Sequence, residues 1–162
     1  MINVNETSEA KDGVLDMRDG GVYLLVADDS LEFEDALRRV AFLARQNHGH
    51  VAILYVIEDD AYLHWSFIAK RIQTDKRAEA EKVLWDSAQR LYDMSGLISA
   101  FYIKEGKTPQ EIVKILNTDT TIRALVLGAA ASSSNPLISY FTGKGLSSLK
   151  VPLVIVPSQE HS

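Results

Sequence analysis

The residues best suited to chemistry lie between two apolar runs near the end of the chain, residues 124–127 and 153–156. Gly128 follows the first run, and the polar loop 132–136 leads into a helix-length segment. Apolar runs separated in this way predict parallel strands joined by a right-handed crossover helix. Ligands bind at the carboxyl ends of such strands, and free N–H groups at a helix start hold anions. The loop therefore predicts an anion site, and the functional question is whether it holds a phosphate.

A second candidate is the acidic turn Asp28-Asp29-Ser30, which follows an earlier apolar run. Asp29 and Ser30 suit a helix cap, with Glu32 in capping-box spacing after Asp29. Asp28 is the residue that this local interpretation leaves available for a ligand.

Other polar residues have a structural interpretation beside the functional one. The Ser132, Ser133 and Ser134 hydroxyls could be nucleophiles, but the sequence places no histidine base beside them and has no Gly-x-Ser-x-Gly elbow. An anion cradle or a solvated loop is the better interpretation. Lys144 could reach a phosphate, although an exposed lysine is the default. His48 and His50 are interpreted as a solvated helix end rather than a metal pair.

The elements that must position these residues alternate between strand and helix. Strands are predicted at 22–27, 51–57, 97–104, 124–127 and 153–156, with a helix between each pair. Gly49 is expected to end the first helix, residues 58–74 to be irregular and the second helix to cover about 75–94. Thr108 is predicted to cap the third helix, with Pro109 at its first position and Glu111 completing a capping box.

The irregular segment carries Tyr62, Trp65 and Phe67 among polar residues. These rings could form a lid over a bound base, or they could pack against the sheet edge or a partner chain. The pattern leaves both interpretations open.

Composition limits the class of protein. The 162 residues, 46% of them hydrophobic, predict one domain over 21–158, a flexible arm over 1–20 and a tail over 159–162. The absence of cysteine excludes disulfides and cysteine chemistry. A net charge of -5 argues against a nucleic-acid surface. No apolar run is long enough to span a bilayer and the first residues are unlike a signal peptide, so a cytoplasmic location without membrane partners is expected.

Four stretches together resemble the universal stress protein family over about residues 22–157. They are residues 26–30 (VADDS), residues 54–57 (LYVI), residues 105–113 (EGKTPQEIV) and residues 126–128 (VLG) with the end of the last strand, residues 151–157 (VPLVIVP). The resemblance implies a single Rossmann-like domain of the adenine nucleotide alpha hydrolase type. Its five-stranded parallel sheet would have the order 3-2-1-4-5, with helices on both faces. It also implies a homodimer through the last strand, at Leu153, Val154, Ile155 and Val156.

The nucleotide-binding branch of that family has the motif Gly-x2-Gly-x9-Gly-Ser/Thr after the fourth strand. This chain keeps Gly128, places Ala131 at the second glycine and, aligned from residues 151–152, places Ile138 at the third and Ser139 at the Ser/Thr. The loop is then about three residues shorter than the motif. Gly143 and Gly145 are predicted to lie too far into the helix to replace the missing glycine.

These departures predict an eroded phosphate half beside an intact nucleoside half. Side chains at Ala131 and Ile138 would crowd a phosphate that glycine admits, while Ser132, Ser133 and Ser139 still offer hydroxyl donors. By resemblance, Asp28 and Val56 occupy the positions that contact ribose and adenine.

Three functions follow as hypotheses. The first is a binding or regulatory protein that takes ATP or AMP, with or without magnesium, weakly or not at all, and has at most weak ATPase activity. The second is a competent ATP-binding protein with slow ATPase activity. The third is an interaction module whose dimer surface carries the function. A response-regulator receiver domain is disfavoured, since the third strand ends in Lys104-Glu105 and the fifth in Pro157-Ser158 rather than in the Asp and Lys that receiver chemistry uses.

Overall fold

The chain folds as one parallel sheet with helices packed on both faces. The computed structural model describes residues 20–28, 30, 32–58, 67–130 and 135–159, and the side chains of 67–70 are outside that description. The elements in chain order are β1 (Val22–Val26), α1 (Glu32–Gln46), β2 (His50–Ile57), α2 (Phe67–Ser95), β3 (Ser99–Glu105), α3 (Thr108–Thr118), β4 (Ile122–Ala129), α4 (Pro136–Thr142), a 3-10 turn (Leu146–Ser148) and β5 (Leu153–Pro157).

The predicted sheet order is confirmed. The strands lie in the order β3-β2-β1-β4-β5, and every neighbouring pair is parallel. The chain moves outward from β1 to β2 and β3, then crosses back to the other side of β1 for β4 and β5. The carboxyl ends of β1 and β4 therefore lie at the point where the strand order reverses, and a crevice forms at such a point.

Two apolar cores, one on each side of the sheet, explain why the strands are continuous apolar runs. Successive residues of β1 point to opposite faces, so Leu24 packs under α3 and α4 while Leu25 packs under α1 and α2. Both side chains are fully buried. Ile53 and Leu54 of β2 divide between the two cores in the same way.

The second helix differs from its prediction, since α2 begins at Phe67 rather than near residue 75. The mixture of aromatic and polar residues suggested an irregular segment, and for residues 67–74 that interpretation was wrong. The chain has no glycine or proline between residues 59 and 95, and 71–73 are Arg-Ile-Gln, residues that a helix accepts. Tyr62 and Trp65 lie outside the described residues.

The end of α1 also differs in detail. Its left-handed residue is His48, with φ of 53°, and not Gly49. Glycine is needed at position 49 for a different reason, because a Cβ there would lie 2.7 Å from the carbonyl oxygen of Gly21.

Candidate functional site

A cleft of about 680 Å³ lies at the carboxyl edge of the sheet, at the predicted position. Its floor is formed by the ends of β1 and β2, one wall by the start of α3 and the other wall by α4. Four charged side chains line it, two acidic and two basic: Asp28, Glu58, Lys107 and Lys144. The cleft can therefore take a ligand that carries both hydrogen-bond donors and an anionic group.

Asp28 and Val56 are the residues predicted to contact a nucleoside. Both residues line the cleft, and Val56 is half-buried against the core under α3 and α4. Asp28 is exposed, and its Oδ1 accepts hydrogen bonds from the Ser30 amide at 2.9 Å and from the Ser30 hydroxyl. This local turn fixes the carboxylate at the cleft mouth, where it can accept from ligand hydroxyls. Asp29, the predicted cap, lies outside the described residues.

A hydrogen bond across the rim joins β2 to α3. Thr108 Oγ1 donates to Glu58 Oε1 at 2.8 Å. The predicted capping box is therefore wrong, because Lys107 is the N-cap residue and makes no side-chain cap bond. The other partner of the predicted box, Glu111, is buried and pairs with Lys114 Nζ at 2.9 Å. Thr108 is thus a wall residue of the cleft, a role that its sequence position did not reveal.

The turn before α3 requires its glycine. Gly106 has φ of 143°, and a Cβ there would lie 2.8 Å from Glu111 Oε1. Its amide donates to Ile57 O at 3.0 Å, which ties the start of α3 to the end of β2. The Glu-Gly pair found in the sequence therefore shapes the wall of the cleft.

At the start of α4, near the predicted phosphate site, the structure shows contacts that the sequence analysis did not predict. Asn135 is the N-cap of α4: its Oδ1 accepts from the Leu137 amide at 2.8 Å, while its Nδ2 donates to Gly128 O, also at 2.8 Å. We call this pair of bonds the Asn135 clasp. It joins the end of β4 directly to the start of α4, across the place where an anion would enter.

The clasp and the following proline remove two amide donors from the start of α4. Pro136 has no N–H, and the Leu137 N–H is taken by Asn135. The Ser139 N–H makes the first bond of the helix, to Asn135 O at 3.1 Å. Of the described amides at this helix start, those of Asn135 and Ile138 donate to no described residue. An anion therefore finds few backbone donors here.

Gly128 has a packing reason to be glycine. A Cβ at this position would lie 2.8 Å from the backbone oxygen of Glu32, at the start of α1. The close approach of α1 to β4 therefore explains this glycine independently of any ligand.

Two of the remaining predicted phosphate residues, Ile138 and Ser139, are among those that the structure describes. Ser139 is exposed and Ile138 packs against the core, and neither lines the cleft. Ala131, Ser132 and Ser133 lie outside the described residues. The prediction that Gly143 and Gly145 lie within the helix was wrong, because α4 ends at Thr142 and both follow it in a turn.

That turn does not restore the lost donors. The amides of Gly143 and Gly145 both bond to Tyr140 O, at 3.2 and 2.8 Å. Lys144, between them, lines the cleft, with its Nζ 5.6 Å from the Tyr140 ring centre. The turn contributes an exposed side-chain cation rather than a set of backbone donors.

The described residues contain no group of three or more side chains that could hold a metal ion. Tyr102, whose pKa is raised to about 12 by its hydrogen bond to Asp119, does not line the cleft. None of the helices in the described ranges is long and apolar enough to cross a membrane.

Sequence and structure comparisons agree on one family. The profile of the Universal stress protein family matches residues 23–157, and no curated protein sequence matches the chain significantly. Among solved structures, universal stress protein UspA from Lactobacillus plantarum is 16% identical with a TM-score of 0.69, over 85% of this chain and 98% of its own.

Two further solved structures contain a nucleotide. The universal stress protein from Archaeoglobus fulgidus, in complex with dAMP, is 14% identical with a TM-score of 0.60, over 84% of this chain and 96% of its own. A universal stress protein family protein from Arabidopsis thaliana, with AMP bound, is 12% identical with a TM-score of 0.61, over 86% and 93%. At these identities the likeness establishes a shared fold.

Proposed function

This chain belongs to the universal stress protein family, and on that premise we propose that it is a binding protein with an intact nucleoside cleft and a self-occupied phosphate end. It takes an adenine nucleoside or nucleotide weakly, gains little from the phosphates and has no efficient turnover. The observation that carries this proposal is the Asn135 clasp, which bonds the Leu137 amide and Gly128 O to the protein itself.

The magnitude of the loss follows from the donors. A hydrogen bond to a charged acceptor contributes about 1.5–3 kcal/mol. Two donors withheld from a phosphate, the missing one at Pro136 and the occupied one at Leu137, correspond to about 3–6 kcal/mol, or roughly two to four powers of ten in affinity. The cations Lys107 and Lys144 offset only part of this, because exposed charges in water interact weakly.

Calorimetric titration with adenosine, AMP and ATP, with and without magnesium, tests the proposal. We expect the three ligands to bind with similar, weak affinities. An ATP dissociation constant tighter than about 10 μM, or about -7 kcal/mol, contradicts it. In that case the competent ATP-binding alternative is favoured, with Lys107 and Lys144 as the phosphate contacts.

We also propose that the chain forms a homodimer through the free edge of β5. Within the described residues, β5 pairs with β4 and leaves its other edge open. Val156 is buried, Leu153 and Val154 are half-buried, and Ile155 is 41% exposed. An exposed isoleucine on an open apolar edge strand favours pairing with a second copy.

Sedimentation of an Ile155→Lys variant tests this interface. We expect it to sediment as a monomer, since the lysine would be buried unpaired in the contact. Ile98→Lys is the matched control, because Ile98 is 83% exposed next to β3 at the opposite edge of the sheet. An unchanged dimer in Ile155→Lys, or dissociation by Ile98→Lys, assigns the interface elsewhere.

A further inference from the structure

One side of α1 carries an exposed basic and aromatic surface, formed by Arg38, Arg39, Phe42 and Arg45, which we call the arginine face. Phe42 is 50% exposed, and the Arg39 guanidinium carbon lies 5.8 Å from its ring centre. A cleft of about 550 Å³ separates this surface from the end of α2, where Met94 is 41% exposed. The face thus combines positive charge with uncovered apolar area.

The positive charge available on this face is that of Arg38 and Arg39, since the Arg45 guanidinium donates to the Ser95 carbonyl oxygen. Within the described part of the chain, the guanidinium groups of Arg38 and Arg39 make no ion pair. Of the carboxylates on α1, Asp35 shares a small cavity with Arg38 and Arg39 and accepts from the Gln159 amide at 2.9 Å, while Glu34 pairs with Arg90. Such a face, in a chain of net charge -5, fits an acidic partner with apolar side chains.

The chain itself enters the fold beside this face. The Gly20 amide donates to His48 O at 3.2 Å, and a Cβ at Gly20 would lie 1.8 Å from Asn47 O. Gly20 therefore lies at the carboxyl end of α1. Phe42 lies five residues before Asn47, about 7.5 Å along the helix.

The segment that precedes Gly20 has the matching chemistry. Residues 1–19 contain five acidic and two basic side chains, and residues 12–19 read Asp-Gly-Val-Leu-Asp-Met-Arg-Asp. Val14 lies six residues before Gly20, so extended chain can carry it about 20 Å, which is ample for Phe42 and Met94. Acidic residues at 12, 16 and 19 alternate with the apolar residues at 14, 15 and 17.

We propose that residues 12–19 dock in cis on the arginine face, with Asp12 and Asp16 against its arginines and Val14, Leu15 and Met17 over Phe42 and Met94. The segment and the face that it contacts belong to the same chain. The contact is independent of the nucleotide cleft at the carboxyl edge of the sheet, so the failure of either proposal leaves the other standing.

Because residues 1–162 contain no cysteine, a spin label on Ala10→Cys reports the position of this segment by paramagnetic broadening of amide signals. We expect broadening centred on Phe42, Arg45 and Met94. This broadening should be lost in the double variant Arg38→Glu/Arg39→Glu, and added salt should weaken it. The matched control is Lys82→Glu/Lys150→Glu, which makes the same charge change at exposed positions away from the face and should keep the broadening.

Three results overturn the proposal. The first is broadening that persists after the charge reversal at positions 38 and 39 in a protein whose amide shifts show that it is folded. The second is broadening centred on another surface, such as Trp85, Tyr92 and Ile98, or on β5. The third is broadening in a mixture of isotope-labelled chain with separate spin-labelled chain, because that places the segment of a second copy on the face.

Discussion

Replacement of Asn135 by glycine tests both the stability and the phosphate binding that we attribute to the Asn135 clasp. The change removes the cap to the Leu137 amide and the bond to Gly128 O. Glycine is itself an acceptable cap, so the first loss costs only a few tenths of a kcal/mol. The second costs about 0.5–1.5 kcal/mol. The melting temperature should therefore fall by about 2–8 °C for a chain of this size.

The same change should improve the binding of a phosphate. It frees the Leu137 N–H, and one bond to a charged acceptor contributes about 1.5–3 kcal/mol, or a gain of about 10- to 150-fold in AMP affinity. Adenosine has no phosphate, so its affinity should stay constant. The informative quantity is thus the ratio of AMP affinity to adenosine affinity, measured by calorimetry. Adding Pro136→Ala restores one more N–H and should raise the ratio again.

Asn47→Gly is the matched control. Asn47 is exposed and its Nδ2 donates to Leu43 O at 2.8 Å, so its replacement removes a comparable bond far from the cleft. It should lower stability without changing the ratio. If Asn135→Gly leaves the ratio unchanged, or raises AMP and adenosine affinity in parallel, the donor argument is wrong and the shape of the cleft is what limits binding.

Three further variants test separate features. Gly128→Ala should lower the free energy of unfolding by about 1–3 kcal/mol in denaturant titration, because its Cβ meets Glu32 O at 2.8 Å; unchanged stability would contradict the close approach. Thr108→Val and Glu58→Ala should show a coupling of about 0.5–1.5 kcal/mol in a double-mutant cycle, whereas additive effects would return Thr108 to a capping role. The Tyr102 hydroxyl donates to Asp119 at 2.5 Å, and this bond, with burial, raises the pKa of Tyr102 to about 12. The raised pKa means that the stabilising contribution is complete below pH 10 and is lost as pH rises from 10 towards about 12. Tyr102→Phe should lack that alkaline loss in pH-dependent unfolding and exposed Tyr92→Phe should keep it; equal profiles would contradict the assignment.

On the acid side, the contribution to stability changes with pH in the opposite direction. Hydrogen bonds from the Thr121 and Tyr102 hydroxyls lower the pKa of Asp119 below its ordinary value of 3.8. The resulting contribution is present above 3.8 and disappears as pH falls through the lowered value. Asp119→Asn should therefore lose less stability than the unchanged chain on acidification, as measured by the same unfolding titration.

The fold could be predicted from the sequence because the central strands are buried on both faces and so read as unbroken apolar runs, as at residues 51–57. The order of the strands came from the family resemblance and not from periodicity. The start of α2 was missed because aromatic residues were given more weight than the absence of any glycine or proline between residues 59 and 95.

The site was less predictable because its key contacts join residues that are distant in sequence. Thr108 and Glu111 have capping-box spacing, but Glu58 lies within reach of the Thr108 hydroxyl and forms the bond instead. No local pattern reports that competition. Asn135 had a readable signal, since Asn followed by Pro suits a cap and the first helical position, but it was interpreted as part of a loop.

A helix start can be satisfied by the protein or by a ligand, but one N–H donates one strong bond at a time. In this chain Asn135 takes the Leu137 amide and Pro136 has none, so two donors at the start of α4 are not open to a phosphate. A phosphate gains the whole Leu137 bond only where the Asn135 side-chain oxygen does not compete for it, as in Asn135→Gly. Under the proposed function, binding selectivity should therefore come from the end of the cleft that Asp28 and Val56 line.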